Sequence, residues 1–489
     1  MLSEIQSSIS QDDLRLNDEG LEDVTGILVD FAADIYGDIG IWKCYERYNT
    51  ELFGTPLPFI EDDDSVESIS GIHLGRIHHL LWVLYSGLLE EPTLSPQHED
   101  IQCLAEAAHR FLNDSFASLP RDSAVKAFLT TPNDYGWNVK RKLVWLGTKS
   151  YMFRVFFHSY MLEQCGGKPD IGHTDDFVCQ ECTRWSGLGV IDILAGVLDI
   201  NDDDLKDLRS WYERHAAPYM ILSANTEFLK ALNTINDQEY LIRVDMRNQP
   251  FKAGLLVIGS LIPWRGEWYW SGGQRYIENP SQSLIDDLKN TMIQRSSNIV
   301  CRYDKEYEQK ARERMAELHS SALAFYGKDL IIYPDGLSMG ADWQRELRDN
   351  WASRPLEVVE ETIRKHCLKN NRPSISIPQD LLESKDGVGV FLNPDCGKEI
   401  MERFNSVVSG FRRKGVSLTE DEQYAIRAFV CSDSISPEFV KRMAEEFGGE
   451  SIMSSFHLRD TNTSYWLDYL LRCHKGIFFR KSYPAISLV

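Results

Sequence analysis

Two aspartates and one basic cluster are the residues whose types and spacing suggest chemistry. Asp335 sits in Tyr333-Pro334-Asp335-Gly336, directly after the apolar run that begins at Leu330. Asp395 sits in Asn393-Pro394-Asp395-Cys396-Gly397, directly after Val388–Leu392. Paired carboxylates hold a divalent cation or divide acid and base roles. If the two strands lie side by side and deliver both turns to one end, with Asp386 as a third oxygen, the reaction would be metal-dependent phosphoester hydrolysis. Pro-Asp-Gly is also ordinary turn chemistry, in which Asp bonds its own backbone. The basic cluster is Lys140, Arg141, Lys142, Lys149 and Arg154, interleaved with Trp137, Trp145, Tyr151 and Phe153. Cations among aromatics bind phosphate-bearing ligands or single-stranded nucleic acid. The plainer reading is an amphipathic helix with Val139, Leu143 and Leu146 on its apolar face.

Other chemical residues point to structure. Cys179-Gln180-Glu181-Cys182, with Cys165 and His173 upstream, has zinc-type ligands but lacks a second paired turn, and no metal site is expected. His73, His78 and His79 fall in one apolar segment without the glutamate that a zinc-protease motif requires. Ser186 lacks the flanking glycine of a nucleophile elbow. No cofactor is expected.

Charge separates the chain into unlike parts. Its 489 residues carry a formal charge of −22, and the first hundred hold 21 acidic against four basic residues, including the run Glu61-Asp62-Asp63-Asp64. A polyanion is disfavoured for nucleic acid and for anionic lipid, both of which need clustered Lys and Arg. No apolar run reaches the ~18 residues of a membrane span, and the start, Met1 to Ser10, has no signal-peptide pattern. A cytoplasmic protein without membrane contact is expected.

Helical periodicity dominates the elements that must position these residues. Leu21, Val24, Leu28, Phe31 and Ile35 recur at helical spacing, and Gly37 and Gly40 divide that run from the next. Helices are expected through about residue 165, then a helical connecting segment over 166–237. From residue 238 the period changes to two. Tyr240 to Met246, Gly254 to Trp264 and Glu267 to Ser271 read as strands of a small, curved antiparallel module over 238–280. There Trp268 and Trp270 share the buried face, opposite Tyr269. Residues 281–489 read as an α+β C-terminal domain, and 1–165 as an acidic helical N-terminal domain. The fold class expected is α+β and predominantly helical.

Several stretches together resemble a family of uncharacterised bacterial proteins. They are Leu21 to Gly26, Pro56-Leu57-Pro58-Phe59, Lys142 to Gly147, Trp185 to Gly189, Arg265 to Gly272 and Asn393-Pro394-Asp395. The resemblance implies no activity. The function expected is that of a non-catalytic protein-interaction or adaptor protein with an unknown protein partner. Phosphoester hydrolysis through Asp335 and Asp395 is one alternative. An RNA- or ribosome-associated factor using Lys140 to Arg154 is the other.

Overall fold

The computed structural model describes residues 18–60, 72–88, 95–115, 123–244, 251–295, 305–366, 375–458 and 462–480. Met1 to Ser10 and the acidic run Glu61–Asp64 lie outside these. The chain divides into two compact units, the first up to residue 300 and the second from residue 301. The protein is α+β and predominantly helical, as its periodicity predicts. Among the described residues, no helix is long and apolar enough to cross a membrane.

Among the described residues the first unit opens with ten helices. α1 is Asp18–Gly37, α2 Ile41–Phe53, α3 Leu74–Leu88, α4 Glu99–Ser115 and α5 Ser123–Leu129. α6 is Gly136–Lys149, α7 Arg154–Cys165, α8 Ile171–Gln180, α9 Val190–Val197 and α10 Asp202–Ser210. Val24, Ile27, Leu28 and Phe31 of α1 are buried, spaced i, i+3, i+4 and i+7 on one face, which is why this segment is a helix that docks. Asp34 ends that face. Its carboxylate accepts the N–H groups of Gly40 at 2.8 Å and Trp42 at 2.8 Å, so it satisfies donors at the start of α2.

A closed barrel follows: β1 His215–Ala224, β2 Phe228–Asn233, β3 Glu239–Arg243, β4 Leu256–Trp264 and β5 Glu267–Ile277. The strand order is 1-2-3-5-4, closing on β1, and only β3 and β5 run parallel. This is the five-stranded Greek-key connectivity of the OB type. The β module therefore begins at residue 215, inside what periodicity assigns to a helical connector, and its curvature closes into a full barrel. The alternation of β5 holds, but its burial does not follow the expectation. Trp268 and Trp270 pack on Tyr240 and Tyr219, with centroids 4.8 and 5.6 Å apart, yet both are only half-buried. Tyr269 faces outward and is the buried ring of the three, because a helix covers it. Helix α11, Gln282–Arg295, ends the described part of this unit.

The second unit contains a three-stranded antiparallel sheet in the order β6-β7-β8: Leu330–Tyr333, Val388–Asn393 and Gly397–Glu402. Val388, Val390 and Leu392 build its core with Ile331, Tyr333 and Met339. Helices on either side of the sheet segments in sequence include α12 (Lys305–Tyr326), α13 (Gly336–Ala352) and α14 (Phe404–Arg412).

Candidate anion-binding groove

The two Pro-Asp turns are not brought together. β6 and β7 are antiparallel, with Tyr333 opposite Val388 and Leu330 opposite Phe391. Asp335 follows β6 and Asp395 follows β7, so they emerge at opposite ends of the sheet. Each has a local task. Asp335 is the N-cap of α13 and accepts the Ser338 N–H at 2.7 Å, and that hydrogen bond holds its carboxyl below the usual range. Asp395 lies in a three-residue hairpin loop, where Asn393 Oδ1 accepts the N–H groups of Asp395 and Cys396 at 2.8 and 3.0 Å. Gly397, at φ +82°, turns the chain into β8 rather than into a helix. Asp386 accepts from the Ser406 hydroxyl at 2.6 Å. Paired-carboxylate chemistry has no geometric basis here.

The basic cluster is divided by burial. Lys142 is 1 % exposed and donates to the Thr131 carbonyl at 2.5 Å and to Asn133 Oδ1 at 2.6 Å. It closes the loop before α6, and burial lowers its pKa. Lys140 pairs with buried Asp175 and donates to Cys179 Sγ at 3.0 Å. Arg214, at the entry to β1, also pairs with Asp175, and Ser271 of β5 donates to the same carboxylate at 2.8 Å. Burial alone would raise the Asp175 pKa, but Lys140 and Arg214 outweigh it and hold the carboxyl below its ordinary value. This network fastens α6, α8 and the barrel to one another. Arg154 pairs with Asp30 of α1.

Arg141 and Lys149 remain. Both are exposed, and among the described residues neither side chain has an ion-pair or hydrogen-bond partner. They line a groove of about 480 Å³ between α6 and the outer face of β4 and β5. Its walls are Phe128, Trp137 and Trp145 on one side and Ile262 and Tyr269 on the other. Helical spacing builds the first wall: Trp137, Arg141, Trp145 and Lys149 are successive i+4 positions, one ridge of α6. Gly136 permits the close approach of the second, since a Cβ there would stand 2.6 Å from the Tyr269 ring. Tyr269 is anchored by its hydroxyl, which donates to Glu267 at 2.7 Å, and Glu267 is paired with Arg243 of β3. A smaller cavity of about 160 Å³ shares Trp145 and Lys149 and has Asp30 and Asp34 on its wall.

The remaining singled-out residues are structural. His79 accepts or donates at Tyr45 Oη at 2.8 Å, and burial lowers its pKa to about 3. His78 donates to the Pro96 carbonyl at 2.7 Å. Among the described residues, no three His, Cys, Asp or Glu side chains converge in a way that could hold a metal ion.

What the fold and groove define is an α+β protein with a helical unit packed on an OB-type barrel and a cationic, aromatic cleft at their seam. A model of the family described as "Protein of unknown function (DUF3843)" matches residues 16–172, in keeping with the resemblance to an uncharacterised family. The match includes the α6 ridge and stops before the barrel. No curated protein and no solved structure matches the chain.

Sequence reasoning selected Arg141 and Lys149 but did not separate them from their structural neighbours. It missed Tyr269, Ile262 and Tyr135 as partners. The i+4 alternation of ring and cation was present as a signal. What covers α6 was not.

Proposed function

We propose that this is a non-catalytic binding protein that receives an anionic partner in the groove between α6 and the barrel. One observation carries the reading: Arg141 and Lys149, without a partner among the described residues, stand on one aromatic ridge, while Lys140, Lys142 and Arg154 of the same cluster are paired or satisfied. Charge left without a partner in the free protein is available to one. The volume falls within the ~300–1,000 Å³ of ordinary ligand sites, and the walls are apolar with a few polar groups, as such sites are.

The test is tryptophan fluorescence titrated with tripolyphosphate at low salt. The chain's net charge of −22 repels a polyanion, so any binding must come from a local patch. Saturable quenching that disappears in the Arg141→Gln/Lys149→Gln double variant supports the reading. Absence of binding, or equal binding by that variant, defeats it.

A further inference from the structure

From the order of groups along the ridge, we infer that the anionic partner is single-stranded nucleic acid, with bases against Trp137 and Trp145 and phosphates at Arg141 and Lys149. The inference rests on the anion-binding reading above and deepens it.

The ridge alternates ring, cation, ring, cation. At 1.5 Å rise per residue, successive i+4 groups are offset by about 6 Å along the helix axis. A nucleotide strand also alternates a flat apolar base with a charged phosphate. An acidic peptide would meet the two cations but would leave the indole rings without flat partners. A free inorganic anion would use the cations alone. Base–aromatic stacking tolerates any sequence because every base has a π-face.

A second, independent set of groups continues the path beyond the groove. Tyr135, the N-cap of α6, is stacked on Trp137 with centroids 4.8 Å apart and an interplanar angle of 27°. Arg243 lies over the Tyr135 ring at 5.4 Å and over the Phe228 ring at 4.4 Å. Phe228 and Arg243 are cross-strand partners on β2 and β3. In OB barrels the face of strands 2 and 3 is the surface that meets oligonucleotides. Fold likeness alone would not assign a ligand, but here the stacked rings run from the groove onto that face, with the Arg243 guanidinium fixed there by Glu267. Tyr135 and Trp137 are 40 % and 36 % exposed, so both rings are open to a ligand.

The overall negative charge limits the interaction to what the ridge itself supplies. With two phosphates neutralised, log K should fall against log[salt] with a slope of about −1.4 for a single strand.

The experiment is fluorescence anisotropy of labelled hexauridylate with the full-length protein at low salt, compared with an abasic strand of the same length and charge. The result expected is saturable binding, about 10-fold or more weaker for the abasic strand and for Trp137→Ala. Trp137→Phe should retain most of it. Trp137→Ala is checked for an unchanged far-UV spectrum, and the abasic strand tests stacking in the unaltered protein should that variant misfold. Equal affinity for the abasic strand overturns the nucleic-acid inference and leaves the anion-binding reading standing. So does polyglutamate binding without hexauridylate binding. Competition by free uridine monophosphate at the same molar concentration as the strand would show a single-nucleotide site and overturn the strand. Failure of every anion, tripolyphosphate included, defeats both readings.

Discussion

The groove at α6 and the Pro-Asp turns of the second unit both place charged residues beside apolar elements, but the Asp335 carboxylate is used by its own helix while the cations of the groove are not used. The Asp335 carboxylate caps a helix, whereas Asp395 enters its hairpin loop through its backbone N–H, which donates to the Asn393 side chain. Arg141 and Lys149 have no partner among the described residues, although Lys140 and Lys142 on the same helix are fully engaged. A charged residue with a local structural task is accounted for. One left unpaired in a shaped cleft invites a ligand. The comparison also shows why residue type is a poor guide: neighbours in sequence, such as Arg141 and Lys142, belong to different categories.

The largest effect should come from the network that holds the groove together. Asp175→Ala leaves Lys140 buried without its counter-ion and Arg214 with Asp176 alone, and should destabilise the first unit by about 3–5 kcal/mol. Nine of the twelve tryptophans precede residue 300, so the urea midpoint by tryptophan fluorescence reports chiefly on this unit. An unchanged midpoint would mean that the pairs are solvated and that the groove wall is not fixed by them. The same carboxylate predicts an acid response. Its folded pKa is lowered, so its contribution is present above the unfolded value near 3.8 and is lost as pH falls through the folded value. The second unit has a counterpart in Glu422, the capping-box residue of the helix Glu420–Cys431. Burial opposes its ionisation, but Ser409, the Thr419 N–H and Arg413 outweigh it and bring the carboxyl to about 2. Its contribution should fade between about pH 4.5 and 2. Melting temperatures measured from pH 6 downward should decline in wild type and decline less in Asp175→Ala.

Next in size is the contact that brings helix and barrel together. Gly136→Ala sets a methyl group against a Tyr269 ring that is 3 % exposed and tethered to Glu267. Overpacking of this kind costs ~1–3 kcal/mol. If the urea midpoint does not move, the helix start yields and the groove is wider than it stands.

The helices were legible in the sequence and the barrel was legible only in part, for a physical reason. Val24, Ile27, Leu28 and Phe31 recur at i, i+3, i+4 and i+7, so α1 announces its buried face. In β1 the inward row is His215, Ala217, Tyr219 and Ile221, a polar and a small residue before two large ones, with Pro218 in the middle. Proline inside a strand argues against a strand. Here its carbonyl is used, accepting from the Thr234 N–H at 3.0 Å. In the second unit, the likeness between the two Pro-Asp segments was misleading. Asn393 and Gly397 form the ends of a tight hairpin, whereas Asp335 starts a helix, and no periodicity distinguishes the two. The groove was half legible: the α6 ridge is one segment, while the Tyr269 wall depends on packing across more than a hundred residues.

At the Pro-Asp turns the effects should be small. Asp335→Asn keeps a good N-cap and should leave the melting temperature unchanged, while Asp335→Ala should lower it slightly. Mg²⁺ or Mn²⁺ should shift neither the wild-type protein nor Asp335→Asn. A metal-dependent rise lost in Asp335→Asn would restore the aspartate to chemistry and erase the contrast between the two regions.

The smallest effect on stability is expected where the largest effect on binding lies. Arg141→Gln and Lys149→Gln remove exposed charges that nothing in the described structure uses, so each should change unfolding free energy by no more than ~0.5 kcal/mol. Lys142→Gln, one position along the chain from Arg141, removes a buried ammonium that bonds the Thr131 carbonyl and Asn133 Oδ1 and should cost ~1–3 kcal/mol. It should nevertheless leave the affinity for tripolyphosphate nearly intact wherever the protein is folded, because its ammonium turns to the Thr131–Asn133 loop and not to the groove. Arg141→Gln should show the reverse: an unchanged urea midpoint and weakened binding. Two adjacent cations would thus separate fully, one in the unfolding curve and one in the titration. If Arg141→Gln instead lowers the midpoint as much as Lys142→Gln does, its guanidinium has a structural partner in solution, and the groove loses the property that marks it as a site.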